Sequence, residues 1–270
     1  MTAVTVSSGP LVTAWHAERR AVAVLGLREG RRMLTRPAYL LVLGLIPVRG
    51  LGAFFQTDTI SRSDVRDLLT GALLTGALAT LITASLVATA ARRSGAEAQL
   101  APAPLDPQLR TLSLGLGVLV GPVAVAGLLT TALAYADHGE GSVLPDTFDG
   151  WAYLQLPLMW LGAGLLGVAA ARWLPWPGVP LVLLVGLIAW SVAGVGALAH
   201  DNDIGYLMPF LLGPDHRLGI GWHACYLAGL GLLALTAGLL RDLPLRRRPM
   251  LALLLSTLLL TAASAWMQLP

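Results

Sequence analysis

Histidine and aspartate are the residues of this chain best suited to chemistry, and they gather in two short places. His200, Asp201 and Asp203 stand in the run HDND, and Asp215 and His216 adjoin one another further on. Imidazole and carboxylate are good ligands for a divalent metal. A polar loop that caps two helices has the same composition, so the cluster is weighed against that plainer reading. His16, His138 and His223 are scattered through the rest of the chain. There is no HExxH, no GxSxG and no glycine-rich loop followed by Lys and Ser or Thr. No catalytic residue, metal ligand or cofactor-binding residue is therefore assigned, and the chain is not expected to be an enzyme. The one cysteine, Cys225, cannot form an internal disulfide. It lies in an apolar run and is expected to be a packed small residue.

The elements that would hold these residues are hydrophobic helices. Of 270 residues, 56% are apolar and only 12% are charged, about half the roughly 25% of an ordinary soluble domain. Mean hydropathy is +0.71. So few charges cannot cover a water-exposed surface, and the solvent for most of the chain must be lipid. Strict alternation of apolar and polar residues is absent, which argues against an outer-membrane barrel. The expected fold is all-α: a polytopic membrane protein of 6–7 transmembrane helices, preceded by an amphipathic helix lying in the membrane interface.

About 20 apolar residues are needed to cross the hydrocarbon core as a helix. Seven segments qualify: 37–56, 68–91, 111–136, 150–171, 173–199, 218–240 and 249–267. The first is interrupted by Pro47 and Arg49. Either it crosses with Arg49 snorkelling to a headgroup or facing a polar cleft, or it enters as a broken or re-entrant helix. Residues 1–36 form the preceding part, and 37–267 a single transmembrane domain. The opening residues lack the basic and apolar regions of a signal peptide. From residue 14 onward Ala21, Val22, Val24, Leu25 and Leu27 mix with Arg19, Arg20, Arg28, Arg31 and Arg32, the pattern of an interfacial helix. Most tryptophans, Trp160 among them, are read as interfacial anchors.

Every basic residue is Arg, and 14 of the 18 fall on one side of a seven-span arrangement. They lie before the first segment, in loop 92–110, at Arg172 and in loop 241–248. The alternate loops are acidic or mixed. Arginine-rich loops stay in the cytoplasm, so the N-terminus is expected inside and the C-terminus outside a cell membrane. No span carries Asp, Glu or Lys. Ion-coupled transporters usually need such a residue within the membrane, so any transport is expected to draw its energy from elsewhere.

Loop 92–110, RRSGAEAQLAPAPLDPQLR, is the longest connection on the arginine-rich side. It holds a helix-compatible piece, 94–100, followed by Pro102, Pro104 and Pro107. Such a piece fits a groove on a soluble partner, with Arg93, Glu97, Asp106 and Arg110 as charged contacts. A plain connecting loop fits the spacing equally well. In the third segment, Gly117 and Gly121 have the small-xxx-small spacing that permits close helix contact.

Three stretches give the chain a resemblance to the membrane subunit of type-2 ABC transporters, the ABC-2 permease family, in an actinobacterial-like form. They are LGLREGRRMLTRPAYLLVLGL, ARRSGAEAQLAPAPLDPQLRTLSLGLGVL and RWLPWPGVPLVLLVGLIAW. They resemble the family's connecting helix and first span, its coupling helix, and its short Arg–Leu–Pro link between spans four and five. The resemblance covers most of residues 14–240. It implies a homodimer or heterodimer of permease subunits bound to ABC ATPase subunits. The cofactor, ATP, would be held by the partner and not by this chain. Glu97 would match the coupling-helix acid, and Glu29, Arg31 and Arg32 the connecting-helix charges. The substrates implied are hydrophobic or amphipathic molecules, usually exported; membrane lipid is the other expected partner, and nucleic acid is not one. The chain departs from the family in its seventh run, 249–267. It departs again at GYLMPFLLGP, 205–214, which is shorter than the family's external re-entrant helices. Two other functions stay open: an accessory or regulatory membrane subunit without a conduit, and a membrane enzyme using the external His and Asp residues.

Overall fold

A computed structural model describes residues 9–37, 39–45, 62–93, 107–138, 150–176, 178–199, 207–209, 217–241 and 247–269. Among these residues there is no strand. The helices are α1 (Gly9–Leu34), α2 (39–45), α3 (Arg62–Arg93), α4 (Pro107–Val118), α5 (Ala124–His138), α6 (Gly150–Trp173), α7 (Val179–Ala199), α8 (Arg217–Leu240) and α9 (Arg247–Met267). Among the described residues six stretches are long and apolar enough to cross a membrane: Leu69–Ala90, Pro107–Tyr135, Tyr153–Trp173, Val179–Ala197, Ile220–Leu240 and Pro249–Met267. They agree with the second to seventh expected segments. Of the first, 37–56, the described part is helical over 39–45 and the rest lies outside the described residues. The fifth begins later than expected. Trp173 closes α6, Leu174–Trp176 are not helical, and α7 starts at Val179. Pro175 and Pro177 explain the break, because proline removes a helix donor and pushes its predecessor out of the α region.

Helix α6 is the axis of the bundle. It packs along α3 on one side and α8 on the other, and α9 lies against α8. Apolar side chains gain little by leaving lipid for one another, so membrane helices associate through close packing and hydrogen bonds. Trp160 shows how. The sequence placed it among the interfacial anchors, but it is fully buried in the middle of α6. Its ring occupies the space that a Cβ at Gly76 would need. Its indole N–H donates to the Ala72 carbonyl at 3.3 Å. Tyr39 of α2 meets it edge to face, centroids 6.2 Å apart. Further along the same contact a Cβ at Gly167 would collide with the Leu81 carbonyl. Tryptophan and glycine in complementary positions thus bring α3 and α6 together.

Helices α4 and α5 form one span joined by a π-helical turn, Leu119–Val123, which contains Pro122. Proline cannot donate the helical bond, and the wider turn absorbs the misfit. The Tyr39 hydroxyl donates to the Pro122 carbonyl at 3.4 Å, so α2 seals the turn from one side. Helix α7 makes few contacts and exposes Leu181, Val182, Val185, Ile188, Trp190, Val192 and Val195. Such a face suits hydrocarbon.

Candidate functional site

The arginine-rich N-terminal helix is fastened to the bundle by glycine. Gly26 and Gly30 of α1 are one turn apart, as are Gly117 and Gly121 on the other side of the contact. A Cβ on Gly121 would stand 2.8 Å from the Gly30 carbonyl oxygen, and one on Gly30 2.9 Å from the Gly117 carbonyl oxygen. Both neighbours are backbone and cannot give way. The small-xxx-small spacing at Gly117 and Gly121 therefore does serve a helix contact, and its partner is α1.

Helix α1 runs along α4 and the π turn. Gly117 meets Gly26 and Gly30, and Gly121 meets Gly30, so the contact advances by one turn along both helices in the same direction. Gly26 also lies against Leu116, and Met33 joins the buried cluster of Leu114, Val118, Ala84, Val87 and Val168.

Helices α3 and α4 meet the arginine-rich side at Arg93 and Pro107. The stretch Pro107–Tyr135 has 29 residues, about 44 Å, whereas the hydrocarbon core is about 30 Å thick, so this span is longer than a crossing needs. Arg93 ends α3, and Arg110 is half-buried in the first turn of α4. Glu97 and Asp106 lie outside the described residues.

On α1 the three connecting-helix charges have different surroundings. Arg32 donates to Glu29 at 3.1 Å, a pair one turn apart with half of the Arg32 side chain exposed. Such a surface pair adds at most about 1 kcal/mol. Arg31 is exposed. The helix keeps Gly26, Gly30 and Met33 buried and turns Arg20, Arg28 and Arg31 outward.

Arg172 has a larger part than the sequence suggested. Read there only as a topological charge, it is 7% exposed, and its guanidinium donates to the Pro107 carbonyl at 3.5 Å. The end of α6 is thereby tied to the start of α4. Next to it, the Trp173 indole donates to the Ala237 carbonyl of α8 at 2.8 Å. An Arg–Trp pair ending a run of alanines is the signal that marked this place.

At the other end of α8, His223 is fully buried, and its Nδ1 lies 2.8 Å from Oε1 of Gln268, which is also fully buried. This agrees with the expectation that His223 is packed and hydrogen-bonded, but the partner is the residue just past α9 and was not foreseen. Tyr226 stacks obliquely on His223 and donates to the Leu207 carbonyl at 2.9 Å. Of the run 205–214, Leu207–Pro209 are described, and Met208 is buried against Gly194. Cys225, expected to be packed, is exposed on the outward side of α8. Its neighbours His223, Ala224, Tyr226 and Leu227 take the inward positions. His200, Asp201, Asp203, Asp215 and His216 lie outside the described residues. Among the described residues no three His, Cys, Asp or Glu side chains gather to hold a metal.

Comparison with protein families, curated proteins and solved structures finds no match to this chain. Fold and composition define its class directly: it is a multi-pass, all-α membrane protein.

Proposed function

We propose that this chain is the permease subunit of an ATP-driven exporter of the ABC-2 type. It moves a hydrophobic or amphipathic substrate and takes its energy from a separate ATPase subunit bound at the arginine-rich, cytoplasmic end. The observation that carries this reading is that α4, which follows the 92–110 connection in sequence, is tied to α1 by the glycine contact and to α6 by Arg172 on the Pro107 carbonyl. A force applied at the start of α4 therefore reaches both helices. An external motor is also favoured by the six candidate spans, which contain Arg110 and Arg172 but no Asp, Glu or Lys. Proton or cation coupling through the membrane ordinarily uses such a residue.

In this reading Arg93, Glu97, Asp106 and Arg110 contact the ATPase, and two copies of the chain or of a close relative complete the conduit. The test is co-expression with candidate ABC ATPases from the same genome, followed by purification and reconstitution. The expected result is a stable complex whose ATPase activity and substrate export both fall on Glu97→Ala, with the complex retained. Failure to recover any ATPase with the full chain overturns the reading. An ATPase that binds but supports no transport in any reconstitution assigns the chain to the accessory class instead.

A further inference from the structure

The face of α1 turned away from α4 is a second feature that the contacts within the chain do not use. Arg20, Val24, Arg28, Arg31 and Thr35 follow one another at intervals of four, four, three and four residues, which makes a single stripe on a helix. All five are exposed, and Leu27 flanks them. Val24 is 59% and Leu27 57% exposed. A stripe that mixes guanidinium with bare aliphatic side chains suits neither bulk water nor hydrocarbon. It suits the boundary between phosphate headgroups and acyl chains.

The neighbouring segment identifies what lies against it. Arg36 and Pro37 close the α1 region, and α2 begins two residues later with Leu40, Leu41 and Leu45 exposed by 53–68%. The exposed side of α2 is wholly aliphatic and faces hydrocarbon. The exposed side of α1, immediately before it, therefore lies at the level where hydrocarbon gives way to headgroups.

We propose that the Arg20–Arg28–Arg31 face of α1 binds anionic phospholipid headgroups. The guanidinium groups engage the phosphate oxygens, and Val24 and Leu27 contact the first acyl carbons. Arginine's planar fork pairs with phosphate through two parallel hydrogen bonds. The glycine contact supplies the rigidity: with α1 clamped backbone to backbone, the three arginines present a fixed array to the leaflet. This site lies on the side of α1 opposite the helix bundle and does not depend on the identity of any ATPase.

The test places a probe inside the stripe. Cys225→Ala removes the only native thiol, and Val24→Cys receives an environment-sensitive fluorophore. The full chain is reconstituted in nanodiscs of phosphatidylcholine containing one-fifth brominated lipid, either phosphatidylglycerol or phosphatidylcholine. Bromine quenches only nearby fluorophores, so quenching reports which lipid gathers at α1. The expected result is stronger quenching by brominated phosphatidylglycerol. Arg20→Gln, Arg28→Gln and Arg31→Gln together remove the difference, and the three Arg→Lys changes largely preserve it. Each arginine is expected to contribute roughly a fivefold preference for the anionic lipid at low salt, reduced as salt is raised. Equal quenching by the two lipids in the otherwise native chain overturns the proposal. So does a lipid preference that survives the three Gln changes. A third overturning result is equal quenching together with loss of ATPase binding in the Gln variant, which makes the stripe a protein-docking face.

Discussion

Helices α1 and α9 are both peripheral, each attached to the bundle along one side, yet they are built in opposite ways. Helix α1 docks through glycine, backbone on backbone, and turns arginine outward. Helix α9 docks through a polar stripe of Thr257, Thr261, Ser264 and Gln268, all buried, and turns Leu251, Leu255, Leu258, Leu259 and Trp266 outward. Thr261 fills the space left open at Gly229 of α8. Apart from Met33 and Leu116 at the α1 contact, small and polar residues make the closest approaches, because lipid already solvates large apolar side chains as well as a neighbouring helix does. What differs is the surroundings. The outward face of α9 is aliphatic and suits hydrocarbon, whereas that of α1 carries arginine and, on the proposal above, meets headgroups.

Exchanging the two outward chemistries is the severest challenge to this comparison. Leu259 lies near the middle of α9 and is 62% exposed. Leu259→Arg is expected to cost about 3 kcal/mol of membrane insertion, measured as loss of α9 crossing in a glycosylation-reporter assay. Arg28→Leu on α1 is expected to leave folding unchanged in the same cells. Equal tolerance of the two changes would show that the outward faces share one environment.

The next effect is on the docking of α1. Gly121→Leu forces a side chain onto the Gly30 carbonyl and is expected to destabilise the protein by about 2 kcal/mol. A lowered unfolding midpoint in detergent, with faster amide exchange across 20–34, is the expected signature. An unchanged midpoint would mean that the two backbones are not in contact.

Smaller still is the polar lock of α9. Gln268→Leu removes the partner of a buried imidazole. Hydrogen bonds between membrane helices average only about 0.6 kcal/mol, but an imidazole left unsatisfied adds its desolvation penalty. A loss of about 1 kcal/mol is expected. His223→Leu in the same chain should recover part of it. Additive losses would show that the two side chains are not coupled.

The smallest effect belongs to Ser264. Its hydroxyl is buried, with no hydrogen-bond partner recorded among the described residues. Ser264→Ala is expected to change stability by less than about 0.5 kcal/mol, or to raise it slightly. A loss above 1 kcal/mol would reveal an unseen partner for this hydroxyl.

Much of the fold was legible in the residues themselves. The second to seventh spans stood out because a long apolar run of about 20 residues has one cheap environment, but the fifth expected span starts at 173, ahead of the Leu-Pro-Trp-Pro that separates α6 from α7. The Gly117–Gly121 spacing was visible, but not its partner, since Gly26 and Gly30 sit in a charged helix that does not look like a packing surface. The candidate site was less legible. Arg31, Arg32 and Glu29 could be named, but which of them pairs and which faces outward could not. Arg172 was visible only as a charge that orients the chain.

Membrane partition and the charge asymmetry of the loops are properties of local composition, because the transfer free energies of successive residues add along the chain. The sequence alone therefore determined the class of the protein and the ends of most of its spans. Only the tertiary structure decided which side of each span faces inward. A lipid-embedded helix is apolar all round, and its hydropathy does not distinguish the face that packs from the face that meets lipid. Burial of Trp160, exposure of Cys225, pairing of His223 with Gln268 and the glycine clamp on α1 all depend on that rotation. It is set by shape and hydrogen bonding between residues far apart in the chain.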